Sequence, residues 1–394
     1  MKYQLIALSP IHIGNGNQIS NWSYSVDNSK ISIYNFEKVV SILKNDPRKL
    51  MNLTADIERN PLNKSLGDIL KNYRLNVKPE YTVQLRGNIK KQRWDRNRRQ
   101  NLTEYKQIWE FIKENGKVYI PGTEIKGAIR TALFYKILKD KSKEDQNLKD
   151  QFLREYEKCL HIKNYKDDRD KKKKIQSNFK RFSSRWENFV FRGDFNSTDA
   201  KRDILKILLV SDSNLKDPED VLIVKDILAL GVSRHFEEPH EIAKKESKFT
   251  IDIRIPFKKE YKQILPVTFS YLGMKKLREA CSEFALSIIE AEIEYFYKTN
   301  ELRPEEKSEI LEILEKRKNL AKVSPERNWI ILRLGKHQGF LSTTINLLVK
   351  ELNPELYSKA YREIVPVARH TPNKSRKITI DNELLGWCIL IPQE

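Results

Sequence analysis

The feature that most constrains the fold is an amphipathic segment that follows a Pro-Gly turn at residues 121 and 122. Thr123 comes directly after the turn, and threonine is a favoured N-cap, so the sequence predicts a helix over residues 123–138. Apolar residues recur there every three or four positions and predict one buried face, formed by Ile125, Ile129, Ala132, Leu133 and Ile137. The sequence therefore defines one helix clearly, with a start and a buried side.

The same helix carries two cations, Lys126 and Arg130, which are four residues apart and project together on another face. Gly127 costs roughly 1 kcal/mol of helix stability relative to alanine, so we expect another backbone to approach closely there. A helix start with free N–H groups and two nearby cations predicts a phosphate site. The alternative is an ordinary amphipathic helix with solvated charges.

The charge balance indicates a polyanionic partner. The 394 residues contain 74 Lys and Arg against 54 Asp and Glu, for a net charge of +20. Nucleic acid is the first partner that such a charge suggests, and an anionic membrane surface is the second. No apolar run reaches the ~18 residues that cross a bilayer, and residues 1–14 predict a first strand rather than a signal peptide. We therefore expect a cytoplasmic, nucleic-acid-binding protein without membrane contact.

The cysteines and the periodicity predict a reduced α+β protein. Cys159, Cys281 and Cys388 have no CxxC spacing, so we expect three core thiols and neither a disulfide framework nor a metal or other cofactor.

We predict strands over residues 1–9, 30–34, 204–210, 221–230, 249–255 and 386–391, and helices over 36–43, over 277–295 and from Pro304 onward. Residues 14–17 predict a turn, 45–100 an irregular segment, and 167–174 a mobile loop between two helical stripes. A soft boundary near residue 256 separates an N-terminal domain, 1–256, with inserts near 45–100 and 140–200, from a C-terminal domain, 257–394.

A second glycine-bearing segment lies near the C-terminus, where Gly335 and Gly339 bracket Lys336 and His337 and Arg333 precedes them. The Walker phosphate loop is excluded because no Gly-Lys-Ser/Thr run ends the segment. A glycine loop with basic residues suits the close approach of a bent RNA backbone, and Ser342 or Thr343 would cap the next helix. Taken alone, this segment is not specific evidence for RNA contact.

A basic run over residues 86–100 has seven cations against one acid, Asp95. Trp94 adds an aromatic face on which a base could stack, and Tyr81 precedes the run. The pattern favours nucleic-acid contact, and the alternative is a solvated loop. The cations of the run are Arg86, Lys90, Lys91, Arg93, Arg96, Arg98 and Arg99.

Catalytic patterns are poorly supported. The six histidines include no HExxH pair, and His235 and His240 are predicted to lie in a polar loop. His12 or His337 could act as general base for RNA cleavage through the 2′-hydroxyl, although each suits an ordinary hydrogen-bonding loop residue. Asp212 and Asp252 lack an acidic partner at suggestive spacing. We therefore do not expect an enzyme.

Several of these segments resemble one known family. Residues 8–16, Leu-Ser-Pro-Ile-His-Ile-Gly-Asn-Gly, resemble the first-strand signature of the RAMP proteins, the RNA-binding superfamily of CRISPR systems. Residues 121–130 are similar to the Pro-Gly-Ser-x-Ile-Lys-Gly-x-x-Arg helix of that superfamily. Residues 210–213, 335–344 and 385–390 are most similar to one branch, the Csm-series subunit that caps the 3′ end of the guide RNA in type III-A effector complexes. The insert at 140–200 and the basic run lie outside the resemblance.

The resemblance implies two ferredoxin-like (RRM-like) modules whose glycine loops touch guide RNA, and a non-catalytic role that aids guide maturation. It implies as partners the crRNA, neighbouring RAMP backbone subunits of the Csm complex and a trans-acting nuclease. Two alternatives stay open, a metal-independent endonuclease of the repeat-processing class, with His12 as the best-placed base, and a protein adaptor that recruits a nuclease. Combining the resemblance with the patterns above, we predict RNA contacts at His12, Gly14, Asn15, Arg93, Arg96, Arg98, Lys126, Gly127, Arg130, Arg333, Lys336, His337 and Gly339.

Overall fold

The computed structural model describes residues 1–59, 62–95, 100–230, 237–256, 266–364 and 376–393. Within these ranges helices and strands are mixed along the chain, which confirms the predicted α+β class. The strands are β1 (Lys2–Ala7), β2 (Gly14–Ile19), β3 (Tyr24–Asp27), β4 (Lys30–Ile33), β5 (Tyr81–Arg86), β6 (Lys90–Asp95), β7 (Gln100–Tyr105), β8 (Ile108–Phe111), β9 (Lys113–Glu114), β10 (Lys117–Val118), β11 (Leu209–Val210), β12 (Leu222–Leu230), β13 (Glu237–Ala243), β14 (Lys248–Arg254), β15 (Ile330–Arg333), β16 (Arg376–Thr379) and β17 (Trp387–Pro392).

The predicted helical stripes lie within longer helices, and further helices lie in segments where no stripe was predicted. They are α1 (Phe36–Leu43), α2 (Pro47–Arg59), α3 (Leu66–Asn72), α4 (Gly122–Glu144), α5 (Gln146–Lys158), α6 (Asp168–Arg192), α7 (Pro218–Val221), α8 (Pro266–Phe269), α9 (Met274–Lys298), α10 (Pro304–Val323), α11 (Asn346–Leu352) and α12 (Pro354–Ile364). The predicted helices at 36–43 and 277–295 and the start at Pro304 are confirmed. None of the helices in the described ranges is long and apolar enough to span a membrane.

The first sheet brings the two ends of the chain together. Its order is β11-β14-β1-β17-β15, and β1 pairs antiparallel with both of its neighbours. Leu5 lies opposite Phe249 on one side and Leu390 on the other. Tyr3, Leu5 and Ala7 are fully buried while the residues between them are partly exposed, as a half-buried strand requires. This sheet takes strands from both sides of residue 256. The domain boundary predicted near that residue stays a prediction.

The second sheet carries the site described below. Its order is β2-β8-β13-β12-β5-β4-β3, with β16 also pairing with β12. The strand β12 is buried along nearly its whole length because it lies in the middle of this sheet. A bridge between Ile11 and Ala243 ties the segment after β1 to the end of β13. The chain therefore passes from one sheet to the other through residues 8–14.

Helix α4 packs against α9, and the rings of Tyr135 and Phe284 meet at 5.1 Å between centroids. The charged insert packs against α4 as a helical pair. Phe152 of α5 meets Trp186 of α6 edge to face at 5.0 Å. Aromatic pairs of this geometry add to the free energy gained by burial. The insert is therefore a folded part of the structure with its own aromatic core.

Four of the predicted segments have a different structure. Residues 14–17 form the edge strand β2, with a shifted register and a positive φ at Gly16, rather than a turn. The segment 45–100, predicted to be irregular, contains α2, α3, β5 and β6. Residues 204–210 form a short 3₁₀ turn before β11 rather than one strand. The predicted mobile loop at 167–174 is the N-cap and first turns of α6, because the Asp167 side chain accepts a hydrogen bond from the backbone N–H of Asp170.

The three cysteines are buried and free, as predicted. Burial raises the pKa of the Cys159 thiol to about 11, so this thiol stays protonated at neutral pH. Ser342 and Thr343 do not cap the following helix. They lie inside a 3₁₀ turn, and the hydroxyl of Thr344 accepts the hydrogen bond from the backbone N–H of Asn346.

Candidate nucleic-acid interface

Three sequence segments that are far apart in the chain meet at one place. The backbone N–H of Lys336 donates to the carbonyl of His12 at 2.8 Å. The backbone N–H of Gly386 donates to the carbonyl of Pro10 at 2.8 Å, and Gly386 in turn accepts from Leu334. The first-strand segment, the glycine loop and the Leu-Gly-Trp segment near the C-terminus are therefore one structural unit.

Gly335 is required by this contact. Its φ is +78°, and a Cβ placed on it would lie 2.3 Å from the carbonyl oxygen of His12. No side chain fits at that distance, and the left-handed backbone conformation is itself unfavourable for other residues. Gly339, four residues later, also has a positive φ, but its Cβ would meet nothing within 4 Å. The first glycine therefore serves internal packing, and the second borders open space.

Three histidine rings meet beneath the loop. His12 of the first-strand segment, His240 of β13 and His337 of the loop have ring centroids 4.7 to 6.0 Å apart. The Nδ1 atoms of His12 and His240 lie 2.7 Å and 2.9 Å from backbone carbonyls, which can only accept, so both Nδ1 atoms carry a proton. The Nε2 atom of His240 is then an acceptor, and Nε2–H of His337 donates to it at 2.9 Å.

Burial keeps this cluster neutral. The pKa of His12 is lowered to about 4, mainly by burial; the hydrogen bond to the Glu241 carbonyl opposes this shift, and the charges of Lys336 and Lys113 add to it. Burial lowers the pKa of both His240 and His337 to about 2, with contributions from neighbouring histidines and lysines. The cluster therefore carries no charge at neutral pH. Within the described ranges, no group of His, Cys, Asp or Glu side chains is arranged to hold a metal ion.

The surface above the histidines is basic and has one large aromatic ring. Lys336 is exposed, and its Nζ lies 3.6 Å from the ring centroid of Trp109 in a cation–π contact. The indole N–H of Trp109 donates to Glu238 at 3.1 Å. Burial lowers the pKa of Lys377. The charge of Glu238 acts in the opposite direction, and the charge of Lys336 adds to the lowering. We call Lys336, His337, Lys377 and Trp109 the glycine-loop patch.

The edge strand β2 lies against the same histidines. Gly14 is exposed, and a Cβ on it would lie 2.9 Å from Nε2 of His12. That Nε2 atom has no hydrogen-bond partner among the described residues. Asn15 is exposed and donates to Glu110 at 2.9 Å. Gly14 and Asn15 therefore lie at the surface, whereas His12, which has no exposed area, has no atom that RNA could contact in this conformation.

The start of α4 differs from the predicted phosphate site in its physical basis. The backbone N–H of Gly122 donates to the Asp212 carboxylate at 2.7 Å, so a carboxylate already occupies the helix start. The N-cap is Pro121 rather than Thr123. The close backbone approach occurs at Gly122, whose Cβ would lie 2.4 Å from the carbonyl oxygen of Val210, while a Cβ on Gly127 would meet nothing within 4 Å.

The two cations of α4 also differ from one another. Arg130 donates to Glu187 at 2.9 Å and to Asp203 at 3.0 Å, and it lies 4.2 Å over the Phe191 ring. Its charge is therefore compensated inside the protein. Lys126 is half-buried, and burial lowers its pKa. RNA contact at Lys126 and Arg130 stays a prediction, without the free helix start on which it depended.

Arg333 lies in the core. Its side chain is 2% exposed, and it reaches Glu292 at 3.4 Å, where Arg376 also binds at 2.9 Å. Its Nε donates to the carbonyl of Leu385 at 2.9 Å, beside the Leu-Gly-Trp segment. RNA contact at Arg333 stays a prediction, but in this conformation the charged group is buried and holds the glycine loop from inside.

The basic run forms a two-stranded hairpin of β6 and β7 rather than a loop. Arg93 is 69% exposed and pairs with Glu104 at 3.1 Å, and Trp94 is 57% exposed. Arg96 and Arg98 lie outside the described residues. Asp226 fixes the base of the hairpin by accepting from the backbone N–H of Asn88 at 2.7 Å. Arg93 thus stays a candidate contact on an exposed ribbon.

Sequence reasoning missed three residues of this region. Trp109 and Lys377 were not singled out, and His240 was placed in a polar loop although it lies buried on β13. The two acids that were considered as possible catalytic carboxylates have structural contacts. Asp212 binds the start of α4, and Asp252 pairs with the N-terminal ammonium group and with Arg254.

A family model described as the RAMP superfamily matches residues 4–317, which include the first-strand segment, α4 and the histidine of β13. The chain belongs to the RAMP superfamily. Among curated proteins, it is 27% identical over 390 residues to a CRISPR system protein Csm5 of Methanocaldococcus jannaschii, a match that covers 96% of this chain and 80% of that protein.

Two solved structures share the fold of this RAMP chain. One is a chain in the cryo-EM structure of a Csm–crRNA–target RNA ternary complex of a type III-A CRISPR-Cas system, with a TM-score of 0.69 at 20% identity, covering 99% of this chain and 100% of that one. The other is the crystal structure of T. onnurineus Csm5, with a TM-score of 0.65 at 24% identity, covering 98% and 99%. The predicted likeness to the Csm-series RAMP branch is confirmed.

Proposed function

We propose that this RAMP protein is a guide-RNA-binding subunit of a type III-A CRISPR effector complex, and that it covers the 3′ end of the guide RNA. The full-length similarity to Csm5 supports the subunit assignment. The shared fold with a chain of a Csm–crRNA–target RNA complex supports crRNA and other Csm subunits as partners. The net charge of +20 supplies the electrostatic attraction that such binding needs.

The observation that carries the RNA contact is the glycine-loop patch. Lys336 provides a cation over the ring of Trp109, Lys377 is close enough to act electrostatically on Lys336 and His337, and the neutral histidines support the loop from beneath without adding charge. Gly339 and Gly14 border the patch without side chains, so an RNA backbone can approach the protein main chain there. Phosphate binds the cations, and a base or ribose packs on the indole after Lys336 swings to a phosphate.

We further propose a non-catalytic role in guide maturation, in which the protein protects guide nucleotides and a separate nuclease trims the RNA. The burial of His12 weighs against the endonuclease alternative, because a general base must reach the 2′-hydroxyl. His337 keeps one ring nitrogen engaged with His240, and its pKa is lowered to about 2. Among the described residues no group of His, Cys, Asp or Glu side chains is arranged to hold a catalytic metal ion.

The patch is tested with Lys336→Gln/Lys377→Gln. Two single-strand phosphate contacts contribute about 1.4 to the slope of log K against log salt, so affinity should fall about sevenfold less between 50 and 200 mM salt than in the parent. The measurement is fluorescence anisotropy with a guide RNA across that range. Lys71→Gln/Lys322→Gln removes the same charge from two exposed lysines of α3 and α10 and serves as the control. Equal slopes for both variants would remove the patch from the RNA interface.

The 3′-end role is tested by sequencing guide RNA from complexes purified with and without the gene. We expect an unchanged 5′ end and an altered 3′ end, either untrimmed or ragged and short. In a complemented strain, His12→Asn keeps a donor at the position of Nδ1 and removes Nε2, so the guide lengths should match the parent. A deletion-like pattern in an assembled, RNA-binding His12→Asn complex would favour the endonuclease, and a parent that does not bind RNA would favour the adaptor.

A further inference from the structure

The charged insert has an acid-free stretch that the family resemblance does not explain. From Lys171 to Trp186 the chain carries seven Lys and Arg residues and no Asp or Glu. Because this stretch is helical, its backbone sets the direction in which each cation projects, which a mobile loop would not do. Ile175, Phe182 and Trp186 point into the aromatic core of the insert. Phe179 also packs against this core, whereas Lys173, Lys180 and Arg181 are exposed on the other side of α6.

The exposed side of α6 forms a continuous polar stripe. Ser177, Arg181, Ser184 and Asn188 follow one another at spacings of four, three and four residues, so they share one face. Lys173 extends the stripe by one turn toward the N-terminus and is exposed. From residue 173 to 188 the stripe is about 22 Å long at 1.5 Å per residue. That length spans several phosphates of a single strand.

A groove runs beside this stripe. It has a volume of about 540 Å³ and is bounded by α6 and by the turn that follows it. Its lining contains three cations, five hydroxyl or amide side chains and one aromatic ring, but no carboxylate. The lining residues are Ser177, Lys180, Arg181, Ser184, Arg185, Asn188, Phe195, Asn196 and Thr198.

The cations of the groove differ in how they are compensated. Arg185 pairs with Glu155 at 2.9 Å and lies 4.7 Å over the ring of Phe195, so it forms part of the wall. Lys180 and Arg181 are exposed and make no ion pair within the described part of the chain. The neighbouring acid Glu187 is bound to Arg130 of α4. Two positive charges therefore face the groove without an internal counterion.

We propose that this groove is a second site for the phosphate–ribose backbone of single-stranded RNA, separate from the glycine-loop patch. Lys180 and Arg181 take phosphates, and the hydroxyl and amide groups of Ser177, Ser184 and Asn188 bind ribose hydroxyls and phosphate oxygens. Protein interfaces are depleted in Lys and Ser and enriched in aromatic residues, whereas this groove is lined mostly by Lys, Ser and other polar side chains, and its one ring, Phe195, is covered by Arg185. Contacts of this kind do not read sequence. The inference rests on the proposed function in that the protein binds RNA.

The test is Lys180→Gln/Arg181→Gln, which keeps two polar, helix-compatible side chains. Binding to a single-stranded RNA of about 40 nucleotides is measured by anisotropy from 50 to 200 mM salt. The slope of log K against log salt should flatten by about 1.4. The affinity lost between 50 and 200 mM salt should therefore be about sevenfold smaller than for the parent. Circular dichroism and melting temperature should match the parent, because both side chains are exposed. Lys71→Gln/Lys322→Gln is the charge-matched control.

The outcomes separate this inference from the proposed function. A slope equal to that of the parent, or equal to that of the charge-matched control, overturns the groove as an RNA site. If the groove variant flattens the salt slope while Lys336→Gln/Lys377→Gln does not, the groove is supported as an RNA site and the glycine-loop patch is refuted as one. If the groove variant binds RNA like the parent but loses a co-purifying acidic protein, the groove is a protein interface and the inference is wrong.

Discussion

Gly335→Ala should destabilise the protein because two separate penalties fall on one residue. A left-handed backbone costs an L-residue about 1–2 kcal/mol, and Gly335 has a φ of +78°. Its new Cβ would also lie 2.3 Å from the carbonyl oxygen of His12. That contact can be relieved only if the loop moves away, which stretches the 2.8 Å hydrogen bond from the backbone N–H of Lys336 to the same carbonyl.

The structure offers a matched control for the magnitude. Gly116, in the tight turn between β9 and β10, has a φ of +75°, and a Cβ on it would meet nothing within 4 Å. Gly116→Ala should therefore show the backbone penalty alone, about 1–2 kcal/mol. Gly335→Ala should add the lost hydrogen bond, about 1 kcal/mol, and the residual steric strain, for about 3 kcal/mol in all.

The free energy of unfolding is measured by urea denaturation at pH 7, with the change taken from the midpoint at constant slope. RNA binding is measured at a temperature where both variants are folded. Gly335→Ala should also weaken RNA binding, because the displaced loop carries Lys336 of the glycine-loop patch. Equal stability losses for the two variants would refute the argument that Gly335 exists for its contact with His12.

Three further predictions follow from the same region. Arg333→Met should lower the free energy of unfolding by about 3 kcal/mol in urea, because it leaves Glu292 buried with only Arg376, and it should leave the salt slope of RNA binding unchanged. His12 keeps a folded pKa of about 4 against 6.5 in the unfolded chain, so the unfolded state binds the proton first as pH falls, and stability is lost between about pH 6.5 and pH 4. Between pH 7 and pH 5 this loss is about 2 kcal/mol, and His12→Asn should show a pH dependence of urea unfolding flatter by that amount. Gly339→Val should weaken RNA binding by tenfold or more, about 1.4 kcal/mol, because its side chain enters the open space beside the patch. Its φ of +87° should also cost about 1–2 kcal/mol of stability, as in Gly116→Ala, with little loss of solubility or helical content, and normal anisotropy binding would contradict the prediction.

Local sequence rules worked where a short stretch decides its own structure. The helix of residues 36–43 and the start of α10 at Pro304 follow from periodicity and from the fixed φ of proline. The alternation of Phe249, Ile251 and Ile253 indicated the strand β14 correctly. The charge balance and the quoted motifs led to the superfamily, which the match over residues 4–317 confirms.

Side-chain partners could not be read in the same way. Arg130 and Arg333 look like RNA-binding cations in the sequence, but their carboxylate partners Glu187 and Glu292 are 57 and 41 residues away along the chain. Which cations remain uncompensated depends on those long-range contacts. The same holds for Gly122, whose close neighbour is Val210.

The sequence by itself determined the class of the protein, its basic charge, several of its helices and the two glycine motifs, because these depend on composition and on residues a few positions apart. Only the tertiary structure decided which of those residues reach the surface. It buried His12 and Arg333, joined the two ends of the chain in one sheet, and exposed Lys336 beside Trp109 and Lys180 beside Arg181. The physical reason is that burial and charge compensation are set by groups brought together from distant parts of the chain, which no local pattern records.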